Sequence, residues 1–89
     1  MLNPKEKTQF KKDIKVIRKR GKDLAKLKFV VAELVNERPL NPEYRDHYLI
    51  GNYKGDRECH IEPDWLLIYT VINQDLILVR TGTHSDLFR

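Results

Sequence analysis

Hydrophobic positions in the first third of the chain recur at helical spacing. Three apolar side chains follow one another at steps of four and three residues, which places them on one helix face: Phe10, Ile14 and Ile17. Ahead of them, Asn3, Pro4 and Glu6 have the order of a helix cap, a first helical residue and a capping-box partner. Gly21 provides a stop. The pattern predicts a first helix between Asn3 and Gly21.

A second apolar stripe follows at once. Its members share the spacing of one helix face: Leu24, Leu27, Val31 and Leu34. Asp23 is a suitable cap, and Asn36 and Pro39 end the pattern. Two helices joined at Gly21 form a helical hairpin.

Beyond Pro39 the periodicity changes from helical to that of strands. The prolines and asparagine of Pro39–Asp46 predict a loop, and four strands are then expected: Tyr48–Ile50, Arg57–Ile61, Trp65–Ile72 and Leu76–Thr81. Short turns separate them: Gly51-Asn52 with Lys54–Asp56, Glu62–Asp64 and Asn73–Asp75. Gly82 ends the last strand and leaves a tail, Thr83–Arg89.

Two of these strands carry further information. In Arg57–Ile61 the alternation puts Cys59 and Ile61 on one face and Glu58 and His60 on the other. Trp65–Ile72 is apolar on both faces, which is typical of a central strand. The order of elements predicts an α+β fold: two N-terminal helices packed on a three- to four-stranded antiparallel sheet. We expect residues 1–89 to form a single domain.

Composition narrows the class of protein. The chain has 89 residues and 10.6 kDa, with 40% hydrophobic and 34% charged residues, which suits one globular core and excludes a multi-domain enzyme. No apolar run has the length of a membrane span, and the first residues lack the apolar stretch of a secretory signal. The single cysteine, Cys59, cannot form an internal disulfide. A cytoplasmic protein is expected.

The net charge of +4 is unevenly distributed. Met1–Val30 carries eleven Lys and Arg against three Asp and Glu, a balance of +8, whereas Val31–Arg89 carries six against ten, a balance of −4. Most of the basic side chains lie on the polar side of the first helix or just after it: Lys11, Lys12, Lys15, Arg18, Lys19 and Lys22. This face is either simply solvated or binds an anionic partner.

Candidate chemistry lies in the second half of the chain. All three histidines are there, next to turns and strand ends, and an aspartate and an arginine accompany them: His47, His60, His84, Asp64 and Arg80. The histidine spacings match no zinc signature, and Cys59 points away from His60, so no metal site is predicted. Nucleophilic catalysis is equally unsupported, because Cys59 faces the core and Ser85 lies in the tail without an elbow motif.

Acid–base cleavage of RNA remains. The 2′-hydroxyl supplies the nucleophile, so the protein needs a base for its proton, an acid for the departing 5′-oxygen and a cation for the developing charge. Histidine serves either proton transfer near neutral pH, because its unperturbed pKa is about 6.5. Structural histidines are nevertheless common, and each of the three alone is as well explained by packing.

Two segments carry a family resemblance: Arg57–Tyr69 (RECHIEPDWLLIY) and Leu78–Phe88 (LVRTGTHSDLF). Together with Asp46–Leu49, Asn52–Arg57 and the basic two-helix front, they resemble the YafQ branch of the RelE-type messenger-RNA endonuclease toxins of bacterial toxin–antitoxin modules. The resemblance spans nearly the whole chain. It implies a microbial ribonuclease fold, cleavage of mRNA, often on the ribosome, and neutralisation by a cognate antitoxin of the DinJ/RelB kind, with no cofactor or metal.

By position, the resemblance implies a catalytic set: His47, His60, Asp64, Arg80, His84 and Phe88. We expect His84 to be the general acid, Asp64 the base with His60 as its rival, and Arg80 the phosphate-binding group. His47 would stabilise charge or orient the nucleotide, and Phe88 or Trp65 would stack on a base. A core role for Trp65 and Tyr69 is the simpler alternative. The basic residues of the helices would contact RNA phosphates.

Two other functions remain open on sequence grounds. One is a ParE-like toxin of the same superfamily that inhibits DNA gyrase and has no nuclease site. The other is a small basic nucleic-acid-binding module that uses the helices alone. The histidines, Asp64 and Arg80 argue against both, because neither function needs them.

Overall fold

A computed structural model describes residues 1–53 and 55–88 of the chain, with the side chain of Asn52 left aside. Two helices, α1 (Thr8–Lys19) and α2 (Leu24–Val35), pack on a five-stranded sheet. The strands are β1 (Asn3–Glu6), β2 (His47–Tyr48), β3 (Arg57–Glu62), β4 (Trp65–Ile72) and β5 (Asp75–Gly82), and a short helix, α3 (His84–Leu87), follows β5. The predicted α+β class is confirmed.

The sheet has the order β1-β5-β4-β3-β2 and is mixed. β2 to β5 pair antiparallel as neighbours in sequence, whereas β1 runs parallel to β5 at the opposite edge. The prediction of three or four antiparallel strands therefore missed the first strand. Within the described residues, no helix has the length and apolar character needed to cross a membrane.

The predicted start of the first helix is wrong, because Asn3–Glu6 is a strand. The buried side chain of Leu2 holds this segment in the core, the backbone N–H of Asn3 donates to Gln74 O, and that of Lys7 donates to Leu78 O. These long-range bonds outweigh the local capping signals. Pro4 is tolerated because an edge strand has unpaired backbone positions. α1 begins instead at Thr8.

The other helix signals are confirmed. Phe10 and Ile17 are buried on α1, and Gly21 has a φ of 79°, the left-handed conformation expected after a helix. The Asp23 carboxylate accepts from the backbone N–H of Ala25 at 3.0 Å and caps α2.

Each face of the sheet has its own apolar layer. On one face, α1 and α2 cover the main core, which includes Trp65, Leu67 and Tyr69 of β4. On the other face, Leu66 and Ile68 pack with Leu87 of α3 and with Leu49, Tyr53 and Val79. β4 is therefore central and buried on both faces, as its apolar pattern predicted.

The predicted division of the third strand is also confirmed. Cys59 and Ile61 enter the helix-covered core, and burial raises the pKa of the Cys59 thiol to about 12. Glu58 pairs with Ile68 in the sheet register and His60 pairs with Leu66, so both lie on the opposite face. The turn expected at Glu62–Asp64 is present, and Lys54 of the earlier predicted turn falls outside the described residues.

Candidate active site

The three histidines meet on the sheet face that α1 and α2 leave free. His47 of β2 stands opposite Glu58 in the register, and His60 follows two residues along β3. The ring centroids of His47 and His60 are 6.3 Å apart, and those of His60 and His84 are 5.7 Å apart. The three rings form a row, the histidine row, that runs from β2 across β3 to α3.

Asp64 fixes the α3 end of this row. One oxygen, Oδ1, accepts from the backbone N–H of His84 at 2.9 Å and lies 2.6 Å from His84 Nδ1. These two interactions with His84 hold the pKa of Asp64 below its ordinary value. The aspartate is therefore ionised at neutral pH, and it orients both the backbone and the ring of His84.

α3 itself is fastened in place. The Thr83 side chain accepts from the backbone N–H of Asp86 at 3.1 Å, and Asp86 accepts from the backbone N–H of Thr83 at 2.9 Å, which completes a capping box. Arg20, just after α1, donates to both Asp86 oxygens at 2.6 and 3.1 Å. The expected flexible tail is thus a capped helical turn up to Phe88, while Arg89 falls outside the described residues.

At the β2 end, Nδ1 of His47 lies 2.5 Å from the carbonyl oxygen of Arg45. Arg45 has a left-handed backbone with a φ of 49°, which turns this carbonyl back toward the ring. The preceding aspartate is tied to the sheet as well: Tyr69 donates to Asp46 at 2.5 Å, and Arg57 lies 3.0 Å from its other oxygen. Tyr69 is therefore a core residue that helps to fix the segment leading into His47.

Glu58 is a member of the site that sequence analysis did not select. Its side chain is 7% exposed, and its Oε2 atom lies 3.1 Å from Nε2 of His47 and 3.4 Å from Nε2 of His60. The signal was available, because strand alternation puts Glu58 on the same face as His60.

Phe88 lies beside the histidine row. Its ring centroid is 6.5 Å from that of His84, and it meets Tyr53 edge to face at 5.5 Å. Phe88 is 44% exposed, so a face of the ring remains available to a ligand. Tyr53, which no pattern had singled out, supports this aromatic end and donates to the carbonyl oxygen of Leu87 at 3.4 Å.

Arg80 reaches the site less directly than the sequence suggested. An irregularity in the β4–β5 pairing leaves Val79 without a partner and sets Arg80 opposite Ile68. The guanidinium then binds Asp13 of α1 through Nε at 2.8 Å and Nη2 at 3.1 Å. Asp13 first, and Tyr53 more weakly, raise the pKa of Arg80.

Trp65 is not brought to the surface. The side chain is 0% exposed and its Nε1–H donates to Thr81 Oγ1 at 3.0 Å. The prediction that this ring stacks on a base is therefore corrected, because such contact would require the tryptophan to leave the core. Because Trp65 follows Asp64 directly and is buried, it anchors the turn that carries Asp64 to the core.

The predicted basic residues fall into two groups. Five are exposed along α1: Lys11, Lys12, Lys15, Arg18 and Lys19. Lys22 instead binds Glu62 at 2.9 Å, where Lys26 also binds, so its charge is already paired. α1 lies over the sheet face opposite the histidine row, and only its C-terminal end, through Arg20, meets α3.

A groove of about 700 Å³ opens beside His60, between the start of α2 and the loop before β2. Phe29 and Tyr44 supply aromatic surface there, and the charged residues of its lining are of both signs: Lys26, Arg45, Asp23, Glu43 and Glu62. The groove shares His60 with the histidine row and is therefore continuous with it.

Comparison with known proteins identifies the family of the chain. A family model described as bacterial toxin of type II toxin–antitoxin system, YafQ, matches residues 2–89. The mRNA interferase toxin YafQ of Escherichia coli K12 is 48% identical over 81 residues, which is 90% of this chain and 88% of that protein.

Solved structures give the same result. In the crystal structure of the E. coli DinJ–YafQ complex, the similar chain has a TM-score of 0.92 and 43% identity, with 100% of both chains covered. A metal-bound toxin from Helicobacter pylori has a TM-score of 0.92 and 47% identity, covering 99% of this chain and 100% of that one. The chain belongs to the YafQ family of toxins of bacterial type II toxin–antitoxin systems.

Proposed function

We propose that this protein is an mRNA endoribonuclease that cleaves by metal-independent acid–base catalysis on the RNA 2′-hydroxyl. The observation that carries the proposal is the row of three imidazoles, with neighbouring centroids 6.3 and 5.7 Å apart, in which His47 and His84 are about half exposed and His60 between them is 12% exposed. The mRNA interferase activity named for the E. coli relative supports the substrate class.

His84 is the general acid. A carboxylate oxygen only accepts hydrogen bonds, so the contact of Asp64 with Nδ1 requires that this nitrogen carries a proton. Nε2 is then the nitrogen left to hold a second proton and to pass it to the departing 5′-oxygen. Asp64 thus orients the ring so that Nε2 can face the leaving oxygen.

His60 is the base that removes the 2′-hydroxyl proton. Sequence analysis preferred Asp64, but that carboxylate is already bound by His84 and its lowered pKa makes it a weaker base. His60 lies between the other two rings and has only one nitrogen near Glu58. As its Nδ1 takes the proton, the 2′-oxygen bonds to phosphorus and the bond from phosphorus to the 5′-oxygen breaks.

The remaining residues bind and orient the RNA. His47 and Arg80 stabilise negative charge on the phosphate, although Arg80 must do so while held by Asp13. Phe88 stacks on a base at the exposed end of the row. The groove beside His60 receives a neighbouring nucleotide, since the aromatic side chains of Phe29 and Tyr44 suit stacking with an unpaired base.

The partners follow from the same chemistry. Unpaired basic residues on α1 suit rRNA phosphates, so we propose that cleavage takes place on the ribosome, in the cytoplasm. The structure of a DinJ–YafQ complex supports a DinJ-like antitoxin as the neutralising partner of this chain.

Cleavage by single variants tests the assignment. His84→Ala and His60→Ala should each lower the rate of mRNA scission about 10²- to 10⁴-fold, because each removes one positioned proton transfer. Asp64→Asn should lower it less, since a neutral side chain still accepts the His84 backbone N–H. A matched control is Lys5→Ala, an exposed residue of β1 away from the site. Wild-type rates in both histidine variants, with the fold intact, would refute the assignment.

Metal independence has its own test. A metal-bound relative is known, but the described residues contain no group of three or more His, Cys, Asp or Glu side chains arranged to hold a metal ion. Scission should therefore proceed at an unchanged rate in excess chelator. A loss of activity that added zinc or copper restores would contradict the mechanism.

A further inference from the structure

Glu58 is the one strongly buried carboxylate on the histidine face among the described residues, and the mechanism proposed above gives it no role. The side chain is 7% exposed, and Glu58 of β3 is the register partner of His47 in the antiparallel pairing of β2 with β3. Burying a carboxylate costs several kcal/mol unless it is partnered. The groups that contact Glu58 therefore indicate what role it has.

The contacts of Glu58 are with two imidazoles. Its Oε2 atom lies 3.1 Å from His47 Nε2 and 3.4 Å from His60 Nε2. No lysine or arginine lies within ion-pair distance of Glu58 in the part of the chain that the structure describes. The carboxylate thus stands between the two rings that the proposed reaction uses for proton removal and charge stabilisation.

We propose that Glu58 is a positioning residue that fixes the orientation and tautomer of His60 and His47. The negative charge of a carboxylate 3.4 Å from Nε2 favours the His60 tautomer that carries its proton on that nitrogen. Nδ1 then keeps the lone pair that a base requires. A carboxylate that orients a catalytic imidazole in this way is well known to matter for rate in other hydrolases.

The two ends of the histidine row are then built alike. Asp64 binds Nδ1 of His84 and leaves Nε2 free, whereas Glu58 contacts Nε2 of His60 and leaves Nδ1 free. Opposite nitrogens of the two rings are therefore available to the substrate. For His47, Nδ1 lies 2.5 Å from the Arg45 carbonyl oxygen and Nε2 lies 3.1 Å from Glu58, so both nitrogens have a protein partner. This suits a ring that orients the phosphate better than one that carries a proton.

The test compares Glu58→Gln and Glu58→Asp in single-turnover cleavage of mRNA. The inference rests on the proposed function. Glu58→Gln keeps the shape but loses the charge, and should lower kcat about 10- to 100-fold with little change in KM. Glu58→Asp should recover part of the loss. Glu33→Gln is the control, because Glu33 is also a part-buried, ion-paired glutamate, bound to Arg38 at 2.7 Å on α2.

Imidazole nitrogen NMR gives a reading that a merely structural role would not change. In the wild-type protein, His60 should be mainly the Nε2–H tautomer, and in Glu58→Gln the two tautomers should become more equal. Wild-type kcat in Glu58→Gln, or an unchanged tautomer balance, overturns the inference. If the wild-type protein cleaves no RNA, the proposed function fails, while the NMR comparison still decides whether Glu58 sets the tautomer.

Discussion

At the scale of residues, the chain uses carboxylates mainly to hold cations and imidazoles in place. Asp64 holds His84, Asp13 holds Arg80, and Asp86 holds Arg20. Sequence analysis identified the histidines and Asp64 but assigned the aspartate to proton transfer. It had no means of seeing that Asp64 is occupied, because the contact joins residues twenty positions apart. Which of these residues lie close together was therefore more predictable than which contacts each of them makes.

The state of Asp64 gives a prediction about pH. Its pKa in the folded protein is lowered, chiefly by the backbone N–H of His84 and then by the ring. A lowered carboxyl pKa adds stability above the ordinary value of 3.8, and that contribution is lost as the pH falls through the lowered value. The contact with His84 should therefore stay intact from neutral pH down to about 3.8.

The side-chain carboxyl carbon NMR signal of Asp64 measures this. The midpoint of its acid transition should lie below 3.8, and in His84→Ala, which keeps the backbone N–H but removes the ring, the midpoint should move partway back toward that value. A wild-type midpoint at or above 3.8 would show that the contact does not lower the pKa.

At the scale of elements, the sequence pattern predicted the helices and turns that are stabilised by contacts between residues close in sequence. α2, its Asp23 cap and the β3–β4 turn follow from spacing and turn residues, and all are present. β1 was missed because only a parallel partner 72 residues away makes Asn3–Glu6 a strand. α3 was missed because four residues are too few for a periodic signal, although the sequence does contain the Thr83 and Asp86 pair of its capping box.

The tight junction between β5 and α3 predicts the effect of adding one methyl group. A Cβ on Gly82 would lie 2.8 Å from Oδ2 of Asp86, the atom that both Thr83 and Arg20 bind. Gly82→Ala should therefore break the capping box, cost about 1 kcal/mol of unfolding free energy and lower the rate of cleavage, because His84 loses its support.

Thermal unfolding and cleavage rates of a double-mutant cycle check the cause. In an Asp86→Gly background the methyl group meets neither the carboxylate nor the Cβ atom that would lie 3.0 Å away, so Gly82→Ala should add little further loss. Equal losses in both backgrounds would mean that the glycine matters for another reason.

Asp13 makes a second prediction at this scale, because it ties α1 to the open edge of β5. The pairing of β1 with β5 ends at Leu78. Beyond that point, one Asp13 oxygen accepts from the backbone N–H of Thr81 at 3.1 Å and also binds the Arg80 guanidinium. Asp13→Ala leaves both donors without this partner and should cost about 3 kcal/mol of unfolding free energy. Denaturant unfolding measures it, with the variant Glu6→Ala at an exposed acidic position of β1 as the comparison, and a loss no larger than in that comparison would contradict the role.

At the scale of the whole molecule, charge and candidate chemistry occupy opposite sides of the sheet. The exposed basic residues of α1 lie over the helix-covered core, whereas the histidine row lies on the other face. Sequence analysis separated the two by segment, but only the sheet topology reveals that they face apart. One RNA strand in the site therefore does not need to touch α1, and the basic face is free to contact a separate RNA surface.

This separation predicts that the α1 lysines affect ribosomal cleavage alone. A triple variant, Lys11→Gln with Lys12→Gln and Lys15→Gln, should bind ribosomes more weakly. The slope of log affinity against log salt concentration should become shallower by about 2 to 3, because each lost phosphate contact removes roughly 0.7 to 0.9 from the slope. Cleavage of a short free RNA should not change. The control variant replaces Lys5 and Lys28, which are equally exposed on β1 and α2. If the triple variant slows both reactions equally, the α1 lysines contact the cleaved strand itself, and the division of the molecule into a docking face and a cleaving face is wrong.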